Sequence, residues 1–307
     1  MNTTTRLAAF GGVLALLAVG GFAAGKTAGP VSAATGDAGH GETHAGTMPD
    51  HAGMDALPGG LASSKDGYTF TVADPAPAPG RFSFTITGPD GKPVTAYDVE
   101  HEKKLHLIVV RRDTAGFRHV HPELAPDGTW SVPLTLPAAG SYRAFADFAP
   151  TGAKPMTLGV DLSVAGNYQP ATYPPSRTAQ VDGYTVQLTG DLTAGKTSPL
   201  TLSVSRGGVP VTDLQPYLGA YGHLVALREG DLAYLHVHPH GEPGDGKTPA
   251  GPQVKFAAEV PSAGTYRLFL DFKHGDVVRT AEFTLTTAGT PAPAPAPVPE
   301  PADGHGH

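Results

Sequence analysis

The chain has no cysteine, which rules out disulfides and thiolate metal sites and leaves histidine, carboxylate and methionine as the available metal ligands. Charge is sparse: Asp, Glu, Lys and Arg make up 16% of 307 residues, and no basic run occurs. With a formal net charge of −7, nothing in the chain offers a phosphate-binding surface, so no nucleic-acid partner is expected. Aromatic residues are few, with one Trp, and no stretch beyond the N-terminus carries a helical pattern. The chain is instead rich in glycine (40), proline (31) and histidine (14). That profile fits many short strands joined by turns, together with segments that build no core. The length allows two ordinary domains.

Residues 1–6 carry one positive charge, residues 7–24 are apolar and uncharged, and Val31-Ser32-Ala33 fits a small-x-small cleavage site. Residues 1–33 therefore read as a signal peptide or N-terminal anchor. The rest of the chain is expected to be extracytoplasmic, secreted or attached to the outer face of the cell membrane, touching membrane only through this segment if it is retained. Residues 34–60 lack periodicity and bulk and read as a disordered His/Met-rich segment. Residues 289–307 form a Pro/Ala-rich tail ending in Gly-His-Gly-His, expected to be an extended spacer. Between them lie two modules, 61–166 and 183–288, with a linker at 167–182.

The modules are copies of one another. Residues 93–122 align with 210–239 without a gap, so that His106-Leu107 answers His223-Leu224, and His119-Val120-His121-Pro122 answers His236-Val237-His238-Pro239. The second copy then carries seven extra residues before the match resumes at Ala139-Gly140-Ser141-Tyr142-Arg143 against Ala263-Gly264-Thr265-Tyr266-Arg267. It closes with Asp147-Phe148 against Asp271-Phe272.

Period-two alternation at 81–87, 130–136, 200–205 and 254–260 predicts half-buried strands, and the apolar runs at 105–110 and 224–227 predict strands covered on both faces. At 142–148 the pattern places Tyr, Ala and Phe on one face and Arg, Phe and Asp on the other. About seven short strands per hundred residues, broken by Gly and Pro turns, predict an all-β chain. The expected architecture is two tandem immunoglobulin-like antiparallel β-sandwich domains with disordered N- and C-terminal segments. The Ala-x-Gly-x-Tyr segments resemble the tyrosine corner of such sandwiches.

Residues i and i+2 of a strand share a face, so His119 and His121 project together and can reach one ion. His106, on a strand able to pair with theirs, supplies a third nitrogen, and Asp147 is a candidate fourth ligand. The second copy offers His223, His236, His238 and Asp271 in the same order. A lone strand histidine is more often a hydrogen-bonded structural residue than a ligand. Here Leu105 has become Gly222 and Lys104 has become Tyr221, yet all three imidazoles persist in both copies. Packing alone does not account for that, although a buried polar network ordering the sandwich remains the competing explanation. His101, His240 and His274 each occur in one copy only and read as solvated loop histidines. In the N-terminal segment, His40, His44, Met48, His51 and Met54 mix imidazole with thioether, which points to copper.

The string Pro216-Tyr217-Leu218-Gly219-Ala220-Tyr221-Gly222-His223-Leu224, followed by Leu235-His236-Val237-His238-Pro239, resembles a module of exported bacterial proteins associated with copper or heavy-metal handling. The stretch Met48-Pro49-Asp50-His51-Ala52-Gly53-Met54 is similar to metal-binding segments of periplasmic copper-resistance proteins. The first copy departs from the pattern, with Glu102-Lys103-Lys104-Leu105 before His106, so the second is expected to hold the better site. The resemblance implies metal binding without a defined reaction. The expected function is non-enzymatic: copper, with zinc next, sequestered or transferred at the cell envelope through a His-rich site in each module, in partnership with a copper exporter or another envelope metal-handling protein. Two alternatives stand beside it, a metal-dependent enzyme using an open three-histidine site and a cell-surface interaction module with structural histidines. Blue-copper electron transfer is disfavoured, because it calls for a Cys ligand and the chain has none.

Overall fold

Phe82, Phe84 and Ile86 alternate with Arg81, Ser83 and Thr85, and this period of two buries one face of an eight-residue strand. Repeated along the chain, that device produces a structure made of strands alone among the described residues. A computed structural model describes residues 57–288. The signal or anchor at 1–33, the five His/Met donors between His40 and Met54, and the Pro/Ala tail lie outside the described residues.

The first module runs β1 (Ser64–Lys65), β2 (Tyr68–Val72), β3 (Gly80–Thr87), β4 (Leu105–Arg111), β5 (Arg118–Val120), β6 (Glu123–Leu124), β7 (Thr129–Leu134), β8 (Gly140–Phe148) and β9 (Met156–Val164). Its two antiparallel sheets have the orders β1-β2-β3-β7-β6 and β5-β4-β8-β9. Phe84 and Trp130 from one sheet meet Leu107, Tyr142 and Phe148 from the other in a shared core.

The second module repeats the plan with β10 (Thr178–Val181), β11 (Tyr184–Thr189), β12 (Lys196–Arg206), β13 (Val209–Pro210), β14 (His223–Arg228) and β15 (Tyr234–Leu235). It continues through β16 (Val237–Pro239), β17 (Gln253–Val260), β18 (Thr265–His274) and β19 (Val277–Thr286). Its sheets are β10-β11-β12-β17-β16, with β13 on β12, and β15-β14-β18-β19. Both modules are immunoglobulin-like antiparallel β-sandwiches, with five strands facing four in the first and six facing four in the second. Each has its tyrosine corner: the hydroxyl of Tyr142 donates to the Ala138 carbonyl at 2.7 Å, and that of Tyr266 to the Ser262 carbonyl at 2.8 Å.

Two segments differ from the sequence expectation. β10 falls inside the span read as linker, because its Thr178–Val181 backbone pairs in full with Tyr184–Gln187 of β11. Residues 59 and 60, at the end of the span read as disordered, form a strap between the modules. The Gly60 amide donates to Thr157 of β9 at 2.9 Å, and the Tyr234 amide of β15 donates to the Gly59 carbonyl at 2.9 Å. Gly60 sits at φ 75°, and a Cβ there would lie 2.4 Å from the Phe145 ring, so only glycine fits.

All seven residues of β4 are buried, as the apolar run predicts, but the second cover is the other module. Ile108, Val110, Phe117 and Phe145 pack against Val225, Leu227, Leu232, Tyr234 and Phe269 in one continuous apolar cluster. The contact is reciprocal. Phe117 stacks on Phe269 with centroids 4.0 Å apart, and Phe145 meets Tyr234 at 5.8 Å. The sequence alignment equates Phe117 with Tyr234 and Phe145 with Phe269, so the two ring pairs exchange under a pseudo-two-fold. Arg267 adds a polar tie, donating from Nε to Thr114 Oγ1 of the first module at 3.2 Å.

Candidate metal centre

β4 and β8 are hydrogen-bonded neighbours, and their register sets His106 opposite Asp147. The same register in the second module sets His223 opposite Asp271. His119 lies on β5 opposite Ile108, with His121 two residues on and pointing to the same side, toward the other module. These placements bring His106, His119 and His121 together: one ring nitrogen from each lies within 4.8 Å of the others. His223 joins them from the second module, its ring centroid 4.9 Å from that of His119 and 5.3 Å from that of His106.

The hydrogen bonds around this cluster fix the tautomers. A carbonyl can only accept, so His106 Nε2 donates its proton to the Glu100 carbonyl at 3.1 Å, which leaves Nδ1 as a lone pair. His119 Nδ1 lies 2.7 Å from Asp271 Oδ2, a carboxylate contributed by the other module, and donates to it. The remaining nitrogens, His106 Nδ1 and His119 Nε2, face each other at 3.1 Å. With both imidazoles neutral, two lone pairs point at one another there, and only a shared proton or a metal ion makes the contact attractive. Two nitrogens at ~2.05 Å from a tetrahedral ion stand ~3.3 Å apart, close to the observed spacing. His121 Nε2 is buried without a hydrogen-bond partner. A buried polar atom left unpaired is costly, and on a residue that brings a ring nitrogen to this cluster it fits a ligand set.

Burial and the neighbouring His119 push His106 down from 6.5 to about 3, and the same two causes bring His121 to about 3. Burial also pulls His223 well below its ordinary range. The neutral form that results is the one that binds metal. Behind the imidazoles, Thr280 Oγ1 donates to Asp271 Oδ1 at 2.6 Å, orienting the carboxylate that orients His119. Asp271 and burial together push the Tyr217 hydroxyl up to about 12.

The other expected residues lie elsewhere. Asp147 accepts from Thr157 at 2.8 Å, the counterpart of the Thr280–Asp271 bond, and burial raises its carboxyl with His236 the first opposing charge. His236 and His238 are exposed and stacked, with rings 6.2 Å apart at 3°. His238 Nε2 stands 4.0 Å from Glu259 Oε1. The sequence reading placed one complete site in each copy. The structure instead gathers the three histidines of the first copy with one histidine and one aspartate of the second. Among the described residues, no other group of three metal-binding side chains is drawn together as closely.

One participant was missed. His101, at φ 49°, sets its ring 5.5 Å from His223 and 6.1 Å from His106. Its absence from the second copy hid it, since the duplication was the filter. The paired threonines were visible in principle, each ten or nine residues after its aspartate.

The family model described as "Domain of unknown function (DUF8832)" matches this chain twice, over residues 63–166 and 179–289. The chain belongs to that family. The second match begins within β10, in agreement with the earlier start of that module. No curated protein matches in sequence. Among solved structures, a two-domain fibronectin type-III segment of chicken tenascin is 12% identical over 71% of this chain and 97% of its own, with a TM-score of 0.21. A chimeric titin Z1Z2 tandem is 13% identical over 72% and 98%, at 0.19. A putative membrane anchored protein from Corynebacterium diphtheriae is 13% identical over 75% and 60%, at 0.22.

Proposed function

We propose that this chain is a non-enzymatic metal-binding protein of the cell envelope that holds a copper ion, with zinc next in preference, at the junction of its two modules. His106, His119 and His121 are the ligands on this reading, His223 is the neighbour able to complete four nitrogens, and Asp271 holds His119 in its binding tautomer. The observation that carries it is the convergence of one ring nitrogen each from His106, His119 and His121, together with a buried His121 Nε2 that has no hydrogen-bond partner. An all-imidazole set suits Cu(II) and Zn(II), and the His/Met segment upstream supports copper. The apolar N-terminal stretch supports export, and the resemblance to copper-handling proteins supports an envelope metal-handling partner such as an exporter.

A structural role for the histidines is the second reading, favoured by the Thr280–Asp271–His119 hydrogen bonds, which already tie the modules together. His121 Nε2 weighs against it, since a network built only for structure would pair that atom. Titration separates the two. The full chain, with His40, His44, Met48, His51 and Met54 changed to Ala to remove the upstream donors, is titrated with Cu(II), Cu(I) and Zn(II). One tight equivalent, lost in His119→Gln and in His121→Gln, is expected. Absence of stoichiometric metal in the parent overturns the proposal.

A further inference from the structure

The buried cluster opens on a cleft of about 610 Å³ between the modules. His106, 3% exposed, and His223 line its depth, while the exposed His236 and His238 line the same space at its outer end. His101 is itself exposed, yet its ring lies against both inner histidines. It also shares with His238 a second opening of about 470 Å³. Exposed and buried imidazoles thus share the lining of one cleft.

We infer that His236, His238 and Glu259 form an entry subsite, where a transition-metal cation is captured before it passes by His101 to the buried cluster. The inference rests on the buried cluster being a metal site. A ligand set as enclosed as His106 and His119 exchanges its ion slowly unless donors outside take over each bond as it breaks. His236 and His238 offer two parallel rings on an open surface, and Glu259 adds a carboxylate 4.0 Å from His238. The cleft does not repel a dication: Lys103, Lys104 and Lys154 on its wall are matched by Glu100, Asp147 and Glu259. Capture then depends on nitrogen and carboxylate donors rather than on net field, which selects a transition-metal ion over a hard cation such as Mg²⁺. The divergence of the second copy becomes intelligible, because its histidines keep their spacing while facing solvent.

The test uses the full chain with the five upstream donors replaced, loaded with Zn(II) from a chromophoric chelator in stopped flow and unloaded by excess chelator. In His236→Gln/His238→Gln the tight equivalent and its affinity are expected to remain, with loading and release slowed ~10-fold, the scale of an outer ligand's effect at a metal site. His101→Gln should slow both rates without moving the affinity. In His106→Gln/His119→Gln the tight equivalent should vanish, leaving weak, fast binding that the further His236→Gln/His238→Gln change removes. Unchanged rates in the outer double variant overturn the entry subsite while leaving the buried site standing. Loss of the tight equivalent in that variant also overturns it, because the outer histidines would then be ligands of one shared site. A parent chain that takes up no Zn(II) overturns both.

Discussion

The string His-Val-His-Pro follows two different paths in the two modules. In the first, β5 stays beside β4, Val120 pairs with Leu107 and packs toward its own core, and His119 and His121 face the other module. In the second, β15 ends at Leu235, and Val237 pairs instead with Ala258 of β17, in the opposite sheet of the sandwich. The residue before the motif differs between the copies: Leu235 is 2% exposed in the second core, whereas its counterpart Arg118 is exposed. Both hold the same register, Leu235 on Ala226 of β14 and Arg118 on Val109 of β4, so the two paths part only within the motif itself. The outcome is a partly buried histidine pair in the first copy and an exposed one in the second.

The largest effect expected is on acid stability of the metal-free chain. His106 and His121 take up protons near 6.5 when unfolded, but only near 3 when folded. Their contribution to stability is therefore complete above about 6.5 and is lost as pH falls toward about 3. The raised carboxyl of Asp147 works in the opposite sense, so His121→Gln should move the acid unfolding midpoint to lower pH, as followed by circular dichroism. A midpoint that rises or stays put would show that the first module's imidazoles are not the groups strained by burial.

Next is the shared core. Phe269→Ala removes the ring stacked on Phe117 and should cost ~3–5 kcal/mol in denaturant melts. A smaller loss, on the scale of an exposed residue, would mean that the modules do not depend on each other. The aspartates then test the asymmetry. Asp271→Asn should weaken metal binding ~10–100-fold, through loss of the carboxylate that orients His119, and Asp147→Asn should leave it nearly unchanged. Equal effects of the two would erase the distinction drawn here. Smallest is Thr280→Val, expected to cost about 1 kcal/mol of stability for one buried hydrogen bond, with a modest drop in metal affinity measured by calorimetry.

Much of the fold was legible because its signals are local. The period-two runs at 81–87 and 254–260 lie within β3 and β17, and the alternation at 142–148 correctly divided Tyr142 and Phe148 from Arg143 and Phe145. The double-faced burial of 105–110 was also readable, since only apolar residues occur there apart from His106. What covered the second face was not. Phe145 meeting Tyr234 is a contact across 89 positions between two domains, and no periodicity encodes it. The same limit governs the site. The duplication singled out His106, His119 and His121, which the structure brings together. It also implied that the copies are equivalent, whereas the structure pairs His119 with the aspartate of the other copy. A repeat reveals what each unit carries, but how two units face each other depends on contacts between them, such as Phe117 on Phe269, that neither copy encodes alone.

The reciprocal ring pairs across the junction have a further consequence. Two identical chains meeting in this way would place every substitution on both sides of the axis at once, so any change that opened one histidine motif would open the other. Written in tandem on a single polypeptide, the halves vary separately. Leu235 can stand where its counterpart is Arg118 because the two halves are different stretches of one chain, and such unequal ends are available to a fused pair and denied to a symmetric one.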